Sequence, residues 1–126
     1  MRILLHSNGD PFRLSGGYCI QYRRLITMFT ESGHTVDCII NGAKSLIHHS
    51  PLELLNYHQF IKLANKTQTS ELPIRERSAL ENTNFFINHG LVTSITLINQ
   101  LVDQQASDLY LFLGEVIILN VPENFA

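Results

Sequence analysis

The sequence predicts an α/β domain built on a mainly parallel sheet, and three observations carry that prediction. Ile3-Leu4-Leu5 and Leu109-Tyr110-Leu111-Phe112-Leu113 are apolar runs without polar alternation, as strands covered on both faces require. Between the first of them and a β-branched run, Thr35 to Ile40, lie a glycine-containing loop and an apolar stripe at helical spacing, the order of a βαβ unit. Strand-like and helix-like segments then keep alternating, which favours parallel strands joined by right-handed crossovers.

The 126 residues make one domain, 1–126, because an independent core usually takes about 100 to 150 residues. With 44% hydrophobic and 16% charged residues the chain is not composed like a disordered segment. A formal net charge of -2 gives no bulk attraction for nucleic acid, so no nucleic-acid partner is expected. No apolar run approaches the ~20 residues of a membrane span, and Met1 to His6 is too short for a signal-peptide core. Cys19 and Cys38 have no C-x-x-C spacing and read as reduced thiols. A cytoplasmic protein is expected.

Taken in order, Arg2 to His6 forms the first strand. Ser7 to Gly17 follows as a loop, with Asn8-Gly9-Asp10-Pro11 and Ser15-Gly16-Gly17 as its turn formers. Tyr18, Tyr22, Leu25, Ile26 and Phe29 then make one stripe of a helix that Gly33 stops. Thr35 to Ile40 is the second strand, ended by Asn41-Gly42. Lys44 to His49 reads as a short strand, and Ser50-Pro51 as an N-cap with proline at the first helical position. The helix runs to about Lys66, with Leu54, Leu55, His58, Ile61, Lys62 and Asn65 on one side. Thr67 to Asn82 shows no consistent period and reads as a loop with a helical turn. Asn84 to Asn88 is a short strand, Leu91 to Gln104 a helix with Leu91, Ile95, Ile98, Leu101 and Val102 at helical spacing, and Asp108 to Leu113 a covered strand closed by Gly114-Glu115. Val116 to Leu119 begins one more apolar element. Arg23-Arg24 and Arg75-Glu76-Arg77 read as solvated faces.

A loop leading from a first strand into a helix is where open α/β sheets hold anions, since free backbone N–H groups and the helix dipole meet there. Gly16 and Gly17 allow a phosphate to approach the main chain, or they serve only a tight turn and close packing; both readings stand. The glycines do not form G-x-G-x-x-G, and no Gly-Lys-Ser/Thr follows, so neither the usual dinucleotide fingerprint nor a P-loop is supported. Cys19 lacks the C-x-x-x-x-x-R spacing of a phosphatase cradle. His48, His49 and His58 lie near one another in sequence, but no carboxylate or cysteine completes a ligand set at a recognisable interval, so no metal is expected.

Read together, Met1-Arg2-Ile3-Leu4-Leu5-His6-Ser7-Asn8, Ser15-Gly16-Gly17-Tyr18, the helix carrying Gln21 and Arg24, and Glu31-Ser32-Gly33-His34-Thr35-Val36 resemble the amino-terminal end of family 4 glycosyltransferases. Asp108-Leu109-Tyr110-Leu111-Phe112-Leu113-Gly114-Glu115 is similar to that family's P-D-x-x-x-x-L-G-D stretch. The resemblance implies a Rossmann-like three-layer domain, an incomplete amino-terminal domain of the two-domain GT-B architecture. The function it implies is the acceptor side of a retaining transferase that moves a sugar from a nucleotide sugar. On the matched positions, Gly16 and Gly17 approach the donor diphosphate with Arg13 as counter-charge, and Ser15 shapes the turn. Tyr18 and Gln21 line the cleft, and Glu115 stands near the acceptor or is a solvated turn acid.

The resemblance stops with the chain at Ala126, before the family's later cleft histidine and its donor-binding domain. A fragment, a truncated product or a relic is therefore expected, catalytically incomplete alone, with no catalytic residue assigned. Its partners would be a nucleotide sugar or a sugar acceptor, and no cofactor is expected. The competing reading from another class is a non-catalytic Rossmann-like interaction module that associates, with itself included, through an open sheet edge. A third is a flavodoxin-like binder of a small ligand at Ser15 to Tyr18.

Overall fold

β1 (Arg2–Ser7) is buried on both faces from Ile3 onward, which explains why its apolar residues run without interruption. A computed structural model of the chain describes residues 1–7, 9–41, 53–64, 71–88 and 95–113. After β1 come α1 (Gly17–Glu31), β2 (Thr35–Asn41), β3 (Leu55–Asn56), α2 (Tyr57–Ala64), α3 (Ile74–Glu81), β4 (Asn84–Asn88), α4 (Ile95–Gln105) and β5 (Leu109–Leu113). Five strands form one mixed, mostly parallel sheet in the order β3-β4-β2-β1-β5. β4, β2, β1 and β5 are parallel, and only the two-residue β3 runs antiparallel, against β4. The chain is an α/β fold with helices flanking this sheet.

Alternation along each strand sends side chains to two cores. Ile3, Leu5, Val36, Cys38, Ile40, Phe85 and Ile87 pack under Tyr22 and Ile26 of α1, Tyr57 and Phe60 of α2, and Ala79 and Leu80 of α3. Leu4, Ile39, Phe86 and Tyr110 pack against Ile98, Leu101 and Val102 of α4 on the other face. Phe12, from the loop after β1, stacks on Phe60 with ring centroids 5.2 Å apart and tilts on Phe85 at 5.3 Å, so part of that loop belongs to the core.

α1 ends in a Schellman turn. Gly33 N–H donates to Thr30 O at 3.1 Å and His34 N–H to Phe29 O at 3.1 Å, and the Phe29 and His34 rings touch beneath it. The apolar stripe of this helix differs from the one expected: Tyr22 and Ile26 are fully buried, but Tyr18 is 56% exposed. Cys19, Arg23 and Thr27 are buried beside them. Arg23-Arg24 is thus not a solvated pair, because Arg23 faces inward and Arg24 outward.

Two elements in the middle of the chain correct the expectation. Leu55 and Asn56 pair with Phe85 and Asn84 as β3 rather than lying within a helix. The helix starts after them because Asn56 Oδ1 accepts from Gln59 N–H at 2.9 Å while Gln59 Oε1 accepts from Asn56 N–H at 2.9 Å, a reciprocal capping box. With that start, Tyr57 and Phe60 face the core, and His58 and Lys62, expected on one side with Leu54, Leu55 and Ile61, are exposed. Ile74–Glu81 is a full helix where a loop with one turn was expected. Only Ala79 and Leu80 of it are buried, and its charges are matched by α1 through Arg23–Glu76 and Arg75–Glu31.

The expected strand at Lys44 to His49, the Ser50-Pro51 helix start, Leu91 to Ser94, Gly114-Glu115 and the element at Val116 to Leu119 lie outside the described residues. Among the described residues, no helix is long and apolar enough to cross a membrane.

Candidate functional site

β1 and β5 lie side by side in parallel, with Ser7 opposite Leu113, so their carboxyl ends leave the sheet together. α1 carries the chain from β1 to β2 on one side, whereas β5 lies on the other side of β1. The strand order therefore reverses at β1, and the carboxyl ends of β1 and β5 lie where open α/β sheets accept ligands.

The loop after β1 is folded tightly on itself. Gly9 N–H donates to Ser7 Oγ at 3.1 Å, Phe12 N–H to Asp10 Oδ1 at 2.9 Å, and Arg13 N–H to Asp10 O at 3.2 Å. At Gly9 the loop lies against the first turn of α1: a Cβ there would stand 2.7 Å from the Tyr18 carbonyl carbon and 2.8 Å from the Cys19 nitrogen, distances only a glycine permits. Gly16 caps α1 with φ of 112°, a backbone region that side chains disfavour, and offers no side-chain cap. The first turn carries no acidic residue, so the positive end of the helix dipole is not offset by its own side chains.

Of the residues expected to bind a ligand, Arg13, Ser15, Gly16, Gly17, Tyr18 and Gln21 form a continuous exposed strip around this helix start. Tyr18 and Gln21 sit three apart on one side of α1, so their side chains are neighbours. A Cβ at Gly17 would meet nothing within 4 Å, which leaves the main chain open there. Glu115 lies outside the described residues; the strand that leads to it ends at Leu113, beside Ser7.

A second group at the carboxyl ends had not been singled out. On the face covered by α4, three polar and apolar levels cross the strands. At the amino end Asp37, fully buried, accepts from Arg2 Nε at 2.7 Å, Arg2 Nη2 at 3.1 Å and Asn84 Nδ2 at 3.0 Å. Leu4, Ile39 and Phe86 form the apolar middle. At the carboxyl end a polar line returns: Asn88 Nδ2 donates to Asn41 Oδ1 at 3.1 Å, Asn41 Nδ2 to His6 Nε2 at 2.7 Å, and His6 Nδ1 shares a 2.7 Å bond with the Tyr110 hydroxyl. Four neighbouring strands are tied through side chains just below the crevice. Because Asn41 donates to Nε2, the imidazole carries its proton on Nδ1 and gives it to Tyr110.

Burial lowers the His6 pKa to about 4 against the opposing pull of its bond to Asn41, so the ring is neutral at pH 7. Burial likewise raises the Tyr110 hydroxyl and the Cys38 thiol, which keeps both protonated. His6 has both nitrogens engaged and acts as a cross-brace under the crevice. Cys19 and Cys38 are free and buried, and among the described residues no three histidine, cysteine or acidic side chains converge on a metal-sized space. The signal for the polar line was present in Ile40-Asn41 and Ile87-Asn88, two strands that end alike, but its register becomes visible only in the sheet.

Comparison with known proteins gives no match: no family model fits the chain, and no curated protein or solved structure is similar to it.

Proposed function

We propose that this chain is a Rossmann-like, acceptor-side amino-terminal domain, or part of one, of a GT-B retaining glycosyltransferase of family 4 type. The observation that carries the reading is the position of Ser15-Gly16-Gly17-Tyr18, exposed at the uncapped start of α1 and at the carboxyl end of the strand where the sheet reverses its order. Counted along the chain, the parallel strands lie third, second, first and fourth across the sheet, the order of one half of a doubly wound fold plus the first strand of the other half. In this reading Gly16 and Gly17 admit the donor diphosphate to the first-turn amides, Arg13 offsets its charge, Tyr18 and Gln21 line the cleft, and Glu115 lies on the acceptor side. Transfer needs a clamp on both sides of the leaving diphosphate, so the domain alone binds without turning over.

Calorimetric titration with UDP and GDP tests this. Gly17→Val is the informative variant, because a Cβ there meets nothing within 4 Å and the substitution is aimed at an approaching ligand. Saturable binding by the parent, lost in Gly17→Val with folding intact, supports the reading; absence of binding by the parent overturns it.

One observation favours the non-catalytic alternative. Among the described residues β5 is hydrogen-bonded on one side only, and Leu109 to Leu113 holds no charge or proline to blunt that edge. An interaction module would use this edge for a second copy. A sedimentation profile that stays monomeric as concentration rises removes the alternative, and reversible self-association favours it.

A further inference from the structure

The glycine loop is held by a side chain that belongs to neither the loop nor the exposed strip around it. Arg23, on the second turn of α1, is 4% exposed. Its Nη1 donates to Pro11 O at 3.2 Å and to Arg13 O at 2.6 Å, and its Nε donates to Glu76 Oε1 of α3 at 2.9 Å. Burying a guanidinium carries a desolvation cost that an apolar side chain at this position would avoid. What the guanidinium supplies instead is a planar fork of donors with fixed directions. Two carbonyls of an irregular segment, which no sheet ladder could hold, must both turn towards that fork. No cis peptide occurs among the described residues, so the inward Arg13 carbonyl leaves the Leu14 N–H directed away from Arg23.

We infer that Arg23 is the positioning residue of the glycine loop, and that α3, through Glu76, sets how firmly Arg23 holds it. Glu76 is the only carboxylate on this guanidinium among the described residues. Without that anchor the fork is free to swing, and the carbonyls of Pro11 and Arg13 lose their common donor. A displacement of α3 would therefore be felt at the start of α1, on the far side of the loop. The consequence for affinity rests on the anion-binding reading above; the latch itself does not.

Hydrogen exchange on the full chain, resolved at the Gly9, Phe12 and Arg13 amides, reads the latch directly, because each of these N–H groups bonds within the segment from Ser7 to Arg13. In Glu76→Ala these three amides exchange roughly tenfold faster while β1 and β2 keep parental rates. Arg23→Met gives the larger effect, and Arg23→Lys, which keeps a charge and one donor direction, recovers part of it. Pyrophosphate affinity, measured by titration on the same proteins, falls in the same order. Parental exchange at the three amides in Glu76→Ala, or acceleration shared equally by β1 and β2, overturns the inference. Should Arg23→Met not fold, Glu76→Ala and Arg23→Lys decide it. If the parent does not bind pyrophosphate, the anion-binding reading fails while exchange still decides the latch.

Discussion

His6 on β1 and Tyr110 on β5 share a 2.7 Å hydrogen bond at the point where the sheet reverses its order. The imidazole titrates near 4 in the folded protein because burial disfavours its charge, and near 6.5 when the chain is unfolded. Between those values the unfolded chain takes up a proton that the folded one refuses. The contribution of His6 is therefore intact above pH 6.5, shrinks as pH falls, and is gone below about pH 4, a loss on the order of 3 kcal/mol. Urea unfolding at pH 7.5, 5.5 and 4 should show this decline in the parent, and His6→Gln should lack most of it. Parallel pH profiles for the two proteins would contradict the assignment.

Arg2 and Asp37 form an unequal pair. The Asp37 side chain is fully buried, whereas that of Arg2 is 30% exposed. Removing the arginine strands a buried carboxylate, and breaking such pairs costs about 3 kcal/mol or more. Replacing Asp37 by asparagine keeps a neutral acceptor for Asn84 and leaves Arg2 able to reach water. Arg2→Met should therefore lower the urea midpoint clearly more than Asp37→Asn; the reverse order would count against a buried, charged Asp37.

The turn from α4 into β5 has a residue in the wrong conformation for its type. Ala106 sits at φ of 50°, where Ser107 N–H bonds back to Val102 O at 3.0 Å. A left-handed alanine costs about 1 kcal/mol more than glycine, partly offset by the freedom glycine gains when unfolded. Ala106→Gly should raise thermal stability, by up to about 1 kcal/mol. Beside it, Ser107 Oγ is buried with no partner among the described residues, so Ser107→Ala should be neutral or stabilising.

Gly9 and Gly17 should respond in opposite ways to the same change. Alanine at Gly9 drives a Cβ into the main chain of Tyr18 and Cys19, costing about 1 to 3 kcal/mol and displacing the loop. Alanine at Gly17 meets nothing and improves helix propensity, a gain of up to about 1 kcal/mol. Thermal melts of the two variants check the signs, and a tolerated Gly9→Ala would mean the loop does not lie on the first turn of α1.

The four parallel strands were legible because Ile3 to Leu5, Val36 to Ile40 and Phe85 to Ile87 are buried on both faces and Leu109 to Phe112 is buried or half-buried, which leaves a short-range apolar mark in the sequence. The glycine loop was legible for the same reason, since its turn formers are neighbours along the chain. α2 was misplaced because Ser50-Pro51 reads as the start signal ahead of the Asn56–Gln59 capping box, itself a local pair three residues apart, while the pairing of β3 with β4 that ends the preceding segment is long-range. α3 has too few buried residues to show a period. Arg23 reads as surface from sequence, and its partners at Pro11, Arg13 and Glu76 are distant choices made by the fold. The line from Asn88 to Tyr110 spans four strands and exists only in their register.

β1 lies far ahead of β5 along the chain, so its pairing can be completed only after β5 has been made. Arg2 N–H donates to Asp108 Oδ2 at 2.8 Å and Asp108 N–H to Arg2 O at 2.7 Å, a sequence separation of 106 residues. Until that distant segment leaves the ribosome, the side of β1 that β5 will cover has no strand partner, an edge of the kind that recruits other chains. Closing so long a loop slows the final step and extends this exposure, so assembly of the fold is expected to depend on how quickly β5 arrives.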